Sequence, residues 1–178
     1  MKNLKLLCTA WMAIALFVCC TGSGGGETQP EAAKLVDAVY EAHDYERLLR
    51  VADSLQRAGL MNDAEAFYWQ GYACDRMMRR RMAELYWKTA MRDTETSTDA
   101  TDLAFYAKSA TRLTNLLSVR GEFKAALDVA LPAVERIEAL GCDTTSDYTN
   151  LLIYIGCCES RFGLNKELAD ANFERAYQ

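Results

Sequence analysis

The residues able to do chemistry are few, and their spacing limits what they can do. Beyond the first twenty residues the cysteines are Cys74, Cys142, Cys157 and Cys158, and His43 is the only histidine. No two cysteines stand as C-x-x-C. A structural zinc site needs about four nitrogen or sulfur ligands at suitable spacing. No such set can be assembled, so no metal is expected. The adjacent Cys157 and Cys158 could be redox-active, but cysteines on helical positions serve more often as small buried hydrophobes, and that reading is adopted. A bridge from Cys142 to the later helix stays open. No serine has a histidine and a carboxylate placed to activate it. The tract "GSGGG" at 22–26 has no strand before it and no lysine after it, as a phosphate loop requires. Carboxylate pairs such as Glu46 with Asp53, or Asp63 with Glu65, are ordinary helix-surface charges. The expectation is a protein that is not an enzyme and takes no cofactor.

The chain starts with a short positive head, Lys2 and Lys5, then an apolar run from Leu6 to Val18, then Cys19-Cys20 and "TGSGGGETQP". This is the layout of an export signal. The run falls short of the roughly 20 apolar residues that span a bilayer. The cysteine closing it resembles the acylation site of bacterial lipoproteins, where the signal is cut just before a Cys that then carries lipid. That family favours a small residue ahead of the Cys. Cys19 before Cys20 fits this better than Val18 before Cys19, although Leu16, three before Cys19, favours the alternative. The resemblance implies residues 1–19 as signal peptide, lipid on Cys20 (alternatively Cys19), and a flexible linker over 20–29. The body would then face the periplasm or cell exterior, tethered to a membrane through its N-terminal lipid.

That compartment bears on "YWQGYACDRMMRRRMAELYWKTAM", Tyr68 to Met91, which mixes aromatics with arginines. The chain carries a net charge of −5, and losing Lys2 and Lys5 with the leader makes it −7. An acidic exported domain is a poor partner for nucleic acid, whose affinity comes from cationic contacts to phosphate.

The remaining residues must be positioned by helices. Pro30 and Pro132 are the only prolines, and glycines in the body are sparse. Apolar residues in "KLVDAVYEA" and "YERLLRVADSL" recur at three- and four-residue spacing, with only "AHD" between them. Short connections imply antiparallel neighbours. The pattern returns in "NDAEAFYWQGYACDRM", with Asn62 or Asp63 as N-cap, and in "RRMAELYWKTAMRD". After "TETSTDAT" come "DLAFYAKSATRLTNLLSV" and, past "RGEF", "KAALDVALPAVERIEAL", which Pro132 should bend. After "GCDTTS" come "DYTNLLIYIGCCESRF" and, past "GLNK", "ELADANFERAYQ". The expected fold is all-α, with eight helices in four hairpins over 30–178.

Particular positions repeat. Gly71 is followed twelve residues later by Ala83, then Trp87 and Ala90. The third hairpin has Leu113, the turn "GEF", then Ala126, Ala130 and Ala133. The fourth has Ile155-Gly156, then Ala169, Phe173 and Ala176, with one extra residue in its turn. The first has Tyr45 in the turn, then Leu48, Ala52 and Leu55. Leu48, Ala83, Ala126 and Ala169 lie 35, 43 and 43 apart. Small, bulky, small along the second helix resembles the tetratricopeptide repeat, whose ordinary period is about 34 residues. The resemblance implies a solenoid of about four hairpins. It also implies partner binding along the groove lined by the first helix of each repeat. Carried over by position, the groove holds Asp37, Tyr40, Tyr68, Tyr72, Asp75, Arg76, Lys108, Thr111, Asn115, Ser118, Asn150, Ile153 and Arg161. Asn115 could clamp a peptide backbone through its amide, and Lys108 and Arg161 could meet a carboxylate.

Two functions of different class follow. One is a tethered module that binds protein or peptide partners. The other is the sensory extracytoplasmic front of a larger two-component kinase or transmembrane transcriptional regulator, since "ADSLQRAGLMNDAEAFYWQGYACDR" is similar to the repeat regions of Bacteroides-type sensors. The last repeat stops at "FERAYQ", which leaves Phe173, Ala176 and Tyr177 to be covered by self-association or further repeats.

Overall fold

The computed structural model describes residues 27–162 and 165–178. The expected signal, Cys19 and Cys20 lie outside the described residues, as does most of the linker. Eight helices are described: α1 (Pro30–Glu41), α2 (Tyr45–Arg57), α3 (Asp63–Arg76), α4 (Arg80–Asp93), α5 (Ala100–Val119), α6 (Phe123–Ala139), α7 (Ser146–Phe162) and α8 (Lys166–Tyr177). The protein is an all-α helical solenoid of four antiparallel hairpins, as its periodicity predicts. No described helix is long and apolar enough to cross a membrane.

Local chemistry sets the helix ends. Asp44, Asn62, Asp99 and Asn165 each accept from a backbone N–H of the first turn that follows, which satisfies donors no helix can satisfy itself. The three-residue connections inside the hairpins turn on a left-handed residue: His43 (φ 55), Met78 (φ 62) and Gly121 (φ 79). Each of these residues donates its N–H to the carbonyl three back, Tyr40, Asp75 and Ser118, and the last two turns add Arg79 N–H to Cys74 O at 2.8 Å and Glu122 N–H to Leu117 O at 3.0 Å. Tyr45 is the first residue of α2 rather than part of the turn. Pro132 lies inside α6, which continues past it to Ala139.

Two layers result. The first helices α3, α5 and α7 touch one another in turn, whereas α2, α4, α6 and α8 touch only first helices. Helices in contact on one side and separated on the other make the first-helix layer the inner face of the curve. The core divides along α3. Ala66 and Ala73 pack into a small cluster with Val36, Val39, Leu48, Ala52 and Met61. Ala64, Tyr68 and Cys74, on its other side, join the large cluster that runs through α4 to α8. A helix buried on two faces has no wide polar stripe, which explains the weak amphipathic pattern of "DAEAFYWQGYACDR".

Within hairpins the small positions admit close approach. A Cβ added to Gly71 would lie 2.5 Å from Trp87 Nε1, and one on Gly156 would lie 2.8 Å from Phe173 Cε1. Trp87 is 1% exposed, and Ala83, Ala90, Ala126, Ala130 and Ala133 are fully buried. At the last repeat Phe173 sits against Gly156 and Ala176 packs on the core. Both are partly buried, and Tyr177 is bare, at 92% exposure.

Candidate functional site

The inner face is built from α1, α3, α5 and α7. Between α1 and α3 the backbones stay apart, and aromatic side chains fill the gap. Tyr40 lies 5.4 Å from Trp69 and 5.5 Å from Tyr72, ring centre to ring centre. Tyr72 also meets Tyr45, Tyr68 and Trp69. Tyr68 extends the cluster to Phe105 on α5, at 5.6 Å.

Cations lie over these rings. Arg76 stands 5.4 Å above Tyr45, Arg112 5.2 Å above Tyr72, and Lys108 4.5 Å above Phe105. Among the described residues no ion pair within 4.0 Å uses any of the three. Burial, then the hydroxyl of Tyr40, pushes the Tyr72 hydroxyl up to about 12, and burial raises Tyr68 against the opposing pull of Arg112. The phenols are therefore neutral near pH 7 and do not discharge the cations. Asp147, at the start of α7, feels both Lys108 and Arg112; burial raises its pKa against both cations and the Thr111 hydroxyl. A ring face orients a cation and leaves its outward N–H groups open.

Two hollows continue the face. The first, about 160 Å³, is lined by Asp75, Arg80, Trp87, Arg112, Asn115, Leu116 and Val119. The second, about 180 Å³ and mainly apolar, involves Tyr154, Cys157 and Arg161 beside Val119 and Phe123. Among the described residues no group of three or more His, Cys, Asp or Glu could hold a metal ion.

The residues named from sequence fall into five groups. Tyr40, Tyr68, Tyr72, Arg76 and Lys108 come together in the cation–aromatic cluster, and Asp75 and Asn115 line the first hollow. Arg161 lies apart from these, in the second hollow, where Ser118 also lies. Thr111 is occupied structurally: it is 6% exposed and its hydroxyl donates to Ala107 O and Asp147 O, tying α5 to α7. Asn150 is exposed and enters neither hollow, and Asp37 and Ile153 are exposed on the same layer. The four cysteines are free thiols; Cys74 and Cys158 are buried, Cys157 exposed and Cys142 between.

Sequence reasoning missed Trp69, Phe105, Arg112 and Asp147. Arg112 had a signal: it stands four residues after Lys108, on the same face of α5. No protein-family model matches the chain, and no curated protein matches it.

Proposed function

We propose that this chain is a tetratricopeptide-like module, exported and held at a membrane by a lipid on Cys20, that captures a protein or peptide partner along the inner face of α1, α3, α5 and α7. One observation carries the binding reading: Arg76, Arg112 and Lys108 lie over aromatic rings and, among the described residues, have no ion pair, on a protein of net charge −5. Cations in an acidic protein would ordinarily find carboxylates. Here the rings orient them, ready for acidic side chains of an extended segment. The neighbouring tyrosines add flat, rigid area that costs little side-chain entropy to order.

The test uses chemical cross-linking of the full chain in its native membranes, followed by mass spectrometry of the captured partner. Arg76→Ala with Lys108→Ala removes two of the cations and keeps the ring packing. It is cleaner than Tyr72→Ala, which would unpack four aromatic contacts. Capture should fall sharply with helicity unchanged. Capture at wild-type strength would sink the assignment. The intact mass of the native protein checks the tether: a diacylglycerol adduct at the new N-terminus is expected.

A further inference from the structure

The hollow of about 160 Å³ between α3, α4 and α5 is chemically unlike the rest of the inner face. Its lining includes one acidic residue, Asp75, two basic ones, Arg80 and Arg112, and one amide residue, Asn115. Three apolar side chains, Trp87, Leu116 and Val119, complete it. Among the described residues no ion pair within 4.0 Å uses Asp75, Arg80 or Arg112, although all three line one small space. Opposite charges that share a hollow without closing on each other leave both free for a ligand carrying both signs.

The cationic end is reinforced. Arg80 is the first residue of α4, which has no side-chain cap and no acid in its first turn, so the positive end of the helix dipole is not offset there. Arg112 is held over the Tyr72 ring, and Tyr72 is fixed in turn by Tyr40 and Tyr45. The floor is rigid too: Trp87 is 1% exposed and its Nε1 donates to Tyr68 O at 3.3 Å. The volume is about that of five waters, well under the roughly 300 Å³ at which drug-sized sites begin.

We infer that this hollow binds a free α-amino acid with an apolar side chain. The α-carboxylate lies toward Arg112 and Arg80, the α-ammonium toward Asp75, and the side chain toward Trp87, Leu116 and Val119. Asn115 serves either end, because its amide both donates and accepts. The inference builds on the binding role proposed for the inner face. It assigns one part of that face to a small zwitterion, not to a polypeptide.

Isothermal titration of the full chain with three probes tests it: L-leucine, N-acetyl-L-leucine, which lacks the ammonium, and L-leucine methyl ester, which lacks the carboxylate. L-leucine should bind, and each blocked analogue should bind at least about tenfold more weakly, as the loss of a charge-assisted contact requires. Asp75→Asn should abolish the preference for L-leucine over the acetylated form. Absence of L-leucine binding, or equal binding of all three, overturns the inference. Asp75→Asn that leaves the preference intact overturns it as well. Arg76 and Lys108 do not line this hollow. Partner capture that depends on them, without L-leucine binding, therefore removes this inference and leaves the groove standing. Discriminating L-leucine binding with capture indifferent to those cations does the reverse.

Discussion

Gly71→Ala is the sharpest test of how the hairpins are packed. Two effects of opposite sign meet at this site. Alanine is favoured over glycine in a helix interior by about 1 kcal/mol. Against that, the new methyl would lie 2.5 Å from Trp87 Nε1 and 2.6 Å from Cδ1, roughly 1 Å inside ordinary contact distance. The indole cannot retreat cheaply. It is 1% exposed, with Ala83 and Ala90 fully buried on the same helix, and it is bonded to Tyr68 O. Overpacking a closed core site costs about 1–3 kcal/mol, and this geometry belongs at the upper end. The net expectation is a loss of about 2 kcal/mol, or a Tm lower by about 4–8 °C for a chain of this size. Urea and thermal denaturation followed by far-ultraviolet circular dichroism would measure it. Gly71→Ala with Trp87→Leu should lose less than the two single changes summed, because the smaller side chain makes room. Gly156→Ala is the internal control. Its clash, 2.8 Å, is with a half-buried Phe173 on the last helix, so it should fall within about 0.5 kcal/mol of neutral, as the helix gain offsets the strain. A stabilised Gly71→Ala variant would refute the claim that α3 and α4 need a residue without a side chain there.

Met78 holds a left-handed conformation at φ 62 and is 70% exposed. Met78→Gly should stabilise by about 0.5–1 kcal/mol, the relief of strain less glycine's extra chain entropy, seen as a higher urea midpoint with unchanged slope. Asp147 has its pKa raised chiefly by burial, against the pull of Lys108 and Arg112. A carboxyl whose folded pKa exceeds its unfolded value favours the fold when protonated, so its ionisation costs stability as pH rises through the folded pKa. Asp147→Asn should therefore be more stable than wild type at pH 7 and no different below about pH 3, under the unfolded aspartate value. No gain at pH 7 would mean that attraction to the two cations outweighs burial.

Much of the fold was legible because helix ends and periods are local. The cap at Asn62, and the spacing of 35, 43 and 43 between Leu48, Ala83, Ala126 and Ala169, need no tertiary knowledge. The packing rule was only half legible. The repeated signal was sought as small residues at fixed places, but the positions sixteen apart trade volume. Val36 with Ala52 and Thr114 with Ala130 put the larger side chain on the first helix, while Gly71 with Trp87 puts it on the second. All but Gly71 are at most 1% exposed, and Gly71 is also buried. A crossing of fixed width constrains the sum of two side chains and not either one, so a search for identical residues finds alternate hairpins only. The groove suffered for a related reason. Carrying groove positions over from the repeat register found Asp75 and Asn115 but missed Arg112, which is held by a ring on another helix. It also kept Thr111, whose hydroxyl is consumed by a carbonyl on α7.

The entry of the chain into the solenoid has a mechanical meaning. Asn62 N–H donates to the Thr28 hydroxyl at 3.0 Å, that hydroxyl donates in turn to the Glu65 carboxylate, and Gln29 N–H donates to Leu60 O at 3.0 Å. These bonds attach the segment ahead of α1 to the α2–α3 loop and the first turn of α3. Tension arriving from the N-terminal side is therefore divided before it reaches α1. Part passes into α3, the helix whose two buried faces join the small cluster to the large one. Without this bypass a pull would unzip the first hairpin one turn at a time. With it, the pull must break several hydrogen bonds together, and the end repeat is kept under the shelter of its neighbour.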